Sequence, residues 1–171
     1  MTAVYIVVMF IHIIAAIAWV GGMAYLRFVL LPGLGRTSPQ VRGPMLAEVA
    51  QPTVRFLLRS AEITILFGLA NFILLGGASH SRTWQAAIGL GLLISIIIYG
   101  LGQAVTRPTT MRLVEAVRSV QPSPLMGRTG PTSQNAAAQI PSLAAKQRTV
   151  LNAQFGLAVL VALTMAAARF V

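Results

Sequence analysis

The fold of this chain is decided by its first apolar stretch, residues 4–26, which reads VYIVVMFIHIIAAIAWVGGMAYL and carries no charged side chain. An α-helix needs roughly 20 apolar residues to cross the hydrocarbon core of a bilayer, which is about 30 Å thick. The stretch is therefore long enough to span a membrane. It is too long for the apolar region of a signal peptide, and no basic residue precedes it. We expect a retained membrane span.

Three further apolar stretches of similar length follow, at residues 58–77, 84–105 and 150–170. Hydrophobic residues make up 56% of the 171 residues and charged residues only 9%, whereas soluble domains carry about 25% charged residues. The mean hydropathy is +0.78. This composition predicts an all-α, polytopic membrane four-helix bundle that forms a single transmembrane domain over residues 1–171.

The basic residues predict how the bundle is oriented. The formal net charge is +10, and of the 13 basic residues all but Arg82 and Arg169 lie at or beyond the same ends of the predicted spans. Lys and Arg near span ends mark the cytoplasmic side, so both termini are expected to face outward from a cell inner membrane. The excess charge favours anionic lipid headgroups on the cytoplasmic side. No aromatic-rich basic face is present, which excludes nucleic acid as a partner.

The two longer connections between spans, 33–54 and 106–148, are both predicted to be cytoplasmic. Each contains a short amphipathic stretch, at residues 45–49 and 111–118, that is expected to form a short helix. The second stretch reads either as an interfacial helix or as a continuation of the third span. Residues 121–142 are rich in Pro and Gly and are expected to form a flexible loop.

Few residues are available for chemistry. The chain has no Cys, which excludes disulfides, thiolate metal sites and cysteine nucleophiles, and it has only two His and three acidic residues. No nucleophile–His–acid set exists. The remaining possibilities rely on a few side chains or on a bound cofactor.

One stripe of the first helix combines polar and soft side chains. Its members recur at spacings of three and four, which places them on one helical face: Met9, His12, Ala16, Trp19 and Met23. The neighbouring face, with Gly22, suits close helix packing, so the stripe should face the bundle. Met and Trp on such a stripe also serve as ordinary core residues.

A histidine within the hydrocarbon region is costly and usually has a task. His12 lies about 12 Å below the outer end of its helix. Asn71 of the second span and Met165 of the fourth fall in the same half of the bilayer, where the three could form a layer with Met9. His and thioether ligands suit Cu(I) and also haem iron. The alternative is that His12 only packs against a neighbouring helix.

The second histidine, His80, lies in the short outer turn between the second and third spans. It reads either as a solvated loop residue or as a metal ligand at an entry site.

A polar cluster is predicted at the inner end of the bundle. Arg55, Arg59 and Glu62 share one face, and Glu62 is the only acidic residue within a span. Its carboxylate should pair with Arg59 or with Arg27, either as an ion pair that joins the first two helices or as part of a proton or anion path. Two further polar residues, Tyr99 and Gln103, line one face of the third span.

The first helix, with HIIAAIAWVGG at 12–22, YLR at 25–27 and LLP at 30–32, resembles the opening span of the small CopD-like membrane proteins (copper-resistance D domain). It resembles the HemJ-like protoporphyrinogen oxidases more distantly. Residues 55–69 and 165–170 are similar to the CopD-like pattern too. These families are inner-membrane helical bundles linked to copper handling or to haem b, and the likeness implies that His12 is the metal or haem ligand.

Three functions follow as expectations. The first is a CopD-like protein that binds or transports copper at its outer face, with His12 and Met9 as candidate ligands and Met165 and His80 as further ones. The second is a haem b-binding redox protein with His12 as an axial ligand. The third is a structural or accessory subunit of a larger membrane complex, in which His12 only packs. As partners we consider a second copy of the chain or the subunits of such a complex.

Overall fold

The computed structural model describes residues 2–74, 80–120 and 131–170, and every regular element in these ranges is helical. The order is α1 (Thr2–Tyr25), a π-helical segment (Leu26–Leu30), α2 (Leu31–Gly35), α3 (Pro39–Leu74), α4 (Arg82–Leu101), a second π-helical segment (Gly102–Thr106), α5 (Arg107–Val120), α6 (Pro131–Ala167) and a 3₁₀ turn (Ala168–Phe170). The π-helical segments join α1 to α2 and α4 to α5 without a break, so the described chain forms four long helical rods.

All four rods are long and apolar enough to cross a membrane. This finding confirms the predicted all-α fold with four long apolar helices. Large apolar side chains cover their outward faces, as at Ile17 (67% exposed), Leu66 (63%) and Leu163 (62%). Apolar residues exposed in this way are compatible with a multi-pass membrane protein whose surface lies in lipid.

The rods pack as two antiparallel pairs. In one pair α1 lies against α3, and in the other α4 and α5 lie against α6. All four rods meet in one buried cluster, which contains Trp19, Met23, Ala61, Ile94, Ile98 and Ala158. Gly22 lets Leu57 of α3 pack close to α1, because a Cβ at this position would lie 2.7 Å from Leu57 Cδ2.

The bundle has a basic end and a distal end. The basic end is where α2 ends at Gly35, α3 begins at Pro39, α5 ends at Val120 and α6 begins at Pro131; the distal end is where α1 begins at Thr2, α3 ends at Leu74 and α4 begins at Arg82. The apolar rods have 33 to 39 residues, which is about 50–58 Å of helix. They are therefore longer than a bilayer core, and the excess lies at the basic end.

This excess length changes the expected structure of the two longer connections. Residues 111–118, predicted either as an interfacial helix or as a continuation of the third span, lie in α5, which continues the rod of α4. Residues 45–49 are part of α3 rather than a short separate helix. The two stretches pack together through a second cluster, Ala47, Leu113, Val114 and Val117. Residues 131–142, expected as loop, form the first turns of α6, whereas the rest of the predicted loop, 121–130, lies outside the described residues.

Two prolines that follow predicted spans lie inside continuous rods. Pro32 and Pro108 are each the second residue after a π-helical segment. Proline has no N–H, and its ring collides with the carbonyl of residue i−4 in an α-helix. A π-helical turn shifts the hydrogen bonds by one residue, as in the bond from Leu31 N–H to the Leu26 carbonyl. The wider turn therefore lets each helix continue past its proline.

Candidate functional site

A cavity of about 670 Å³ lies between the two helix pairs in the distal half of the bundle. We call it the distal cavity, and its walls come from α1, α3, α4 and α6. Its lining includes His12, Thr64, Gly68, Asn71, Trp84 and Met165. Ligand cavities in proteins have volumes of about 300–1,000 Å³ and mostly apolar walls with a few polar groups, and the distal cavity has both properties.

The ring of His12 is held by the neighbouring helix. His12 Nδ1 lies 2.8 Å from the backbone carbonyl oxygen of Thr64. A carbonyl oxygen can only accept a hydrogen bond, so Nδ1 carries the proton. In the neutral ring Nε2 then carries a lone pair. Histidines that bind a metal show this arrangement, because the bond from the other ring nitrogen fixes both the tautomer and the ring orientation.

Gly68 makes room for this contact. A Cβ at Gly68 would lie 2.8 Å from His12 Cε1, closer than real Cβ atoms approach, and 3.1 Å from Nδ1. The His12 ring therefore fits against the backbone of α3 only because residue 68 is Gly. Gly89 lines the same cavity, yet a Cβ there would meet no atom within 4 Å.

Asn71 gives the cavity a second polar group. The side chain is 9% exposed. Its Oδ1 is buried and has no hydrogen-bond partner within the described ranges. A buried acceptor without a partner is costly, so it marks a place for a donor from a bound molecule or water.

Aromatic rings stand at the distal end of the cavity. Trp84, which lines it, stacks on Phe72 with ring centroids 5.8 Å apart and on His80 with centroids 4.1 Å apart. His80 is thus a ring partner of Trp84 and does not line the cavity. Arg82, the first residue of α4, places a basic side chain at this end.

The two methionines proposed as ligands differ in position. Met165 lines the distal cavity and packs on α4, where a Cβ at Gly91 would lie 2.9 Å from its Cε. Met9 does not line the cavity, and its Sδ accepts a hydrogen bond of 3.3 Å from the Tyr5 hydroxyl. The structure therefore brings together three members of the predicted layer, His12, Asn71 and Met165, but not Met9.

The inner polar cluster is a hydrogen-bond chain between α3 and α4. Arg59 NH1 donates to Glu62 Oε2 at 2.7 Å, and Tyr99 OH donates to Glu62 Oε1 at 2.8 Å. Gln103 Nε2 donates in turn to Tyr99 OH at 2.8 Å.

This chain changes the expected role of Glu62. Its ion pair with Arg59 lies within α3 and does not join the first two helices; Tyr99 supplies the link to a second rod, which is α4. Arg27 lies over the Phe28 ring, with its Cζ 5.3 Å from the ring centroid, and Arg55 is exposed.

The residues that complete the site are ones that the sequence did not reveal. Thr64 and Gly68 are spaced by one helical turn and both contact His12, and Trp84 closes the distal end. The sequence does carry one general signal, which is the small residue Gly68 one turn after Thr64, because a glycine lets a ring on a neighbouring helix come close to the backbone. Nothing in the sequence indicates which residue of α3 lies opposite His12.

Comparisons of this chain with protein-family models, with curated proteins and with solved structures find no match.

Proposed function

We propose that the protein binds haem b in the distal cavity, with His12 Nε2 as an axial ligand of the iron. The observation that carries this proposal is the hydrogen bond from His12 Nδ1 to the Thr64 carbonyl beside a large apolar cavity. A proximal His is a common haem ligand. The likeness to HemJ-like proteins supports haem binding. The proposal does not include their oxidase activity, because such proteins tend to carry a later histidine at the end of the first hairpin stretch, which this chain lacks.

The donor atoms fit haem better than copper. Among the described residues no group of three or more His, Cys, Asp or Glu side chains could hold a metal ion. A copper site in this cavity would rely on His12 and Met165, since Met9 lies elsewhere. Haem brings four nitrogen ligands of its own and needs only one or two from the protein. Its flat apolar ring also matches a cavity of this size better than a bare ion does.

Several residues in or near the distal cavity have a defined part in such a site. Thr64 and Gly68 hold the His12 ring in one orientation, and the hydrogen bond to Thr64 makes Nε2 a stronger donor. The apolar walls exclude water, which influences the redox potential of a bound iron. Arg82 at the distal end offers a positive charge for the carboxylates of the ligand. Bound haem b would supply one-electron redox chemistry.

The proposal includes the orientation of the protein. Both termini face outward from the inner membrane, so the distal cavity opens in the outer half of the bilayer. The positive-inside rule supports this orientation, because among the 12 basic residues that the structure describes only Arg82 and Arg169 belong to the distal end.

The two histidines provide a matched test. We expect His12→Ala to purify without haem, whereas His80→Ala keeps the haem content of the unchanged protein because His80 only stacks on Trp84. Haem and copper contents are measured together on each purified variant. Equal haem in both variants would show that His12 is not the ligand. Stoichiometric copper that is lost in His12→Ala would instead support the copper function.

A further inference from the structure

A second cavity, of about 470 Å³, lies at the basic end of the bundle. We call it the basal cavity, and its walls come from the first π-helical segment, α2, α3, α5 and α6. Most of the lining is aliphatic, as at Leu30, Leu46, Leu113 and Leu151. It is separate from the distal cavity, and no residue lines both.

Two arginines make this cavity positive. Arg42 and Arg148 both line it, and no Asp or Glu does. Arg42 is held in place by the end of α2, with Nε 2.9 Å from the Leu34 carbonyl oxygen and NH2 2.8 Å from that of Gly35. No hydrogen bond of its NH1 group is found among the described residues. Arg148 pairs with no carboxylate in the parts of the chain that the structure describes.

A carboxamide beside Arg148 lacks a partner. Gln147 lines the basal cavity, and its Oε1 is buried without a hydrogen-bond partner among the described residues. A bound molecule that carries a hydroxyl group would satisfy this acceptor, since burying it unpaired is costly. The site therefore combines aliphatic walls, two guanidinium groups and one acceptor.

The depth of the cavity matches the headgroup region of a membrane. If residue 4 of α1 lies at one face of the hydrocarbon core, residue 26 lies about 33 Å further along the helix, close to the other face. Leu26, Leu30 and Leu34 all line the basal cavity. The cavity thus begins where acyl chains meet headgroups on the basic side.

We propose that the basal cavity binds one anionic phospholipid with a hydroxyl-bearing headgroup, of which phosphatidylglycerol is the simplest. The phosphodiester lies between Arg42 and Arg148, and a headgroup hydroxyl donates to Gln147 Oε1. The acyl chains extend along the aliphatic walls toward the bilayer. A zwitterionic lipid carries an ammonium group that Arg42 and Arg148 repel, so phosphatidylcholine binds more weakly.

The test is native mass spectrometry of the detergent-purified full chain, titrated with phosphatidylglycerol or with phosphatidylcholine of the same acyl chains. We expect one phosphatidylglycerol to bind tightly. Arg148→Gln should weaken this binding about fivefold, which is the contribution of one basic residue near an anionic headgroup. Ala144→Trp, at an exposed residue of the lining, should block binding sterically and leave the fold intact.

Lys146→Gln is the matched control, because Lys146 is exposed on the same helix and does not line the cavity. It should bind phosphatidylglycerol as tightly as the unchanged protein. The proposal is overturned if Lys146→Gln weakens binding as much as Arg148→Gln. It is also overturned if Ala144→Trp still binds the lipid, or if phosphatidylcholine binds equally well. None of these outcomes depends on the ligand of the distal cavity.

Discussion

At the scale of the residue, the contact between His12 and α3 depends on a missing methyl group. The His12 ring occupies the space that a Cβ of Gly68 would take, and the same geometry directs Nδ1 to the Thr64 carbonyl. A Cβ atom added at residue 68 would therefore contact His12, the proposed iron ligand, directly. The hydrogen bond from His12 Nδ1 to Thr64 and the close approach of the His12 ring to Gly68 both depend on this position of the ring.

Gly68→Ala should consequently displace the His12 ring, the proposed iron ligand, without removing it from the protein. The His12 ring must shift, and overpacking of this kind costs about 1–3 kcal/mol, so we expect a lower melting temperature and a lower haem content. Gly89→Ala is the control, because Gly89 lines the same cavity but has open space around it. Haem per protein and thermal unfolding are measured for both. Identical haem content in the two variants would contradict the assigned position of His12.

The sequence predicts part of this site and misses part of it. His12, Asn71 and Met165 were expected at one depth, because distance along a helix converts directly to depth in a bilayer. Whether these three side chains face one another depends on how the helices are rotated and paired, which a single sequence does not determine. Met9 shows the difference, since it belongs to the same stripe as His12 but bonds to Tyr5 outside the cavity.

At the scale of the element, the π-helical segments explain how two of the rods continue past Pro32 and Pro108. The second segment also brings α4 close to α3 and α6. A Cβ at Gly102 would lie 2.9 Å from Leu58 Cδ2 and 3.6 Å from Gln154 Nε2. Gln154 in turn donates to the Ile98 carbonyl at 3.0 Å, so three rods meet at this level. A glycine is required at this crossing.

Gly102→Leu should separate these rods, whereas Gly100→Leu should not. A Cβ at Gly100 meets no atom within 4 Å, and that residue is exposed. We expect Gly102→Leu to lower the free energy of unfolding by about 1–3 kcal/mol through overpacking and Gly100→Leu to change it little. Thermal unfolding in detergent compares the two variants. An equal loss of stability in both would mean that Gly102 does not lie at the crossing.

Helix boundaries were harder to predict from the sequence than the existence of the helices. Each apolar stretch appears as a helix, because its backbone polar groups must be satisfied within the segment in lipid. The extensions at the basic end carry charged residues and Pro, which resemble loop composition. Packing between α3 and α5 through Ala47 and Leu113 keeps them helical, and such tertiary contacts override local propensity.

At the scale of the whole molecule, the charge asymmetry and the two cavities divide the bundle into halves. The distal half holds His12, the one histidine of the sequence that lies within a span, and the larger of the two cavities. The basic half holds most of the positive charge and the smaller of the two cavities. The proposed orientation places the distal half toward the outside of the cell and the basic half toward the anionic lipid of the cytoplasmic side. The assignment of sides is thus central to both proposals.

The chain has no Cys, so single introduced cysteines report the orientation without background. Thr83→Cys, at an exposed residue near the distal end, should react with a membrane-impermeant maleimide in intact cells. Arg36→Cys, at an exposed residue near the basic end, should react only after the membrane is permeabilised. The reverse pattern would place the distal cavity on the cytoplasmic side.

The most direct test of the central claim is the absorption spectrum of the purified, unchanged protein, recorded before and after reduction with dithionite. Haem ligated by His12 in the distal cavity predicts a Soret band that shifts on reduction, with about one haem per chain when haem is supplied during expression. A colourless protein that takes up no haem under those conditions would contradict the account.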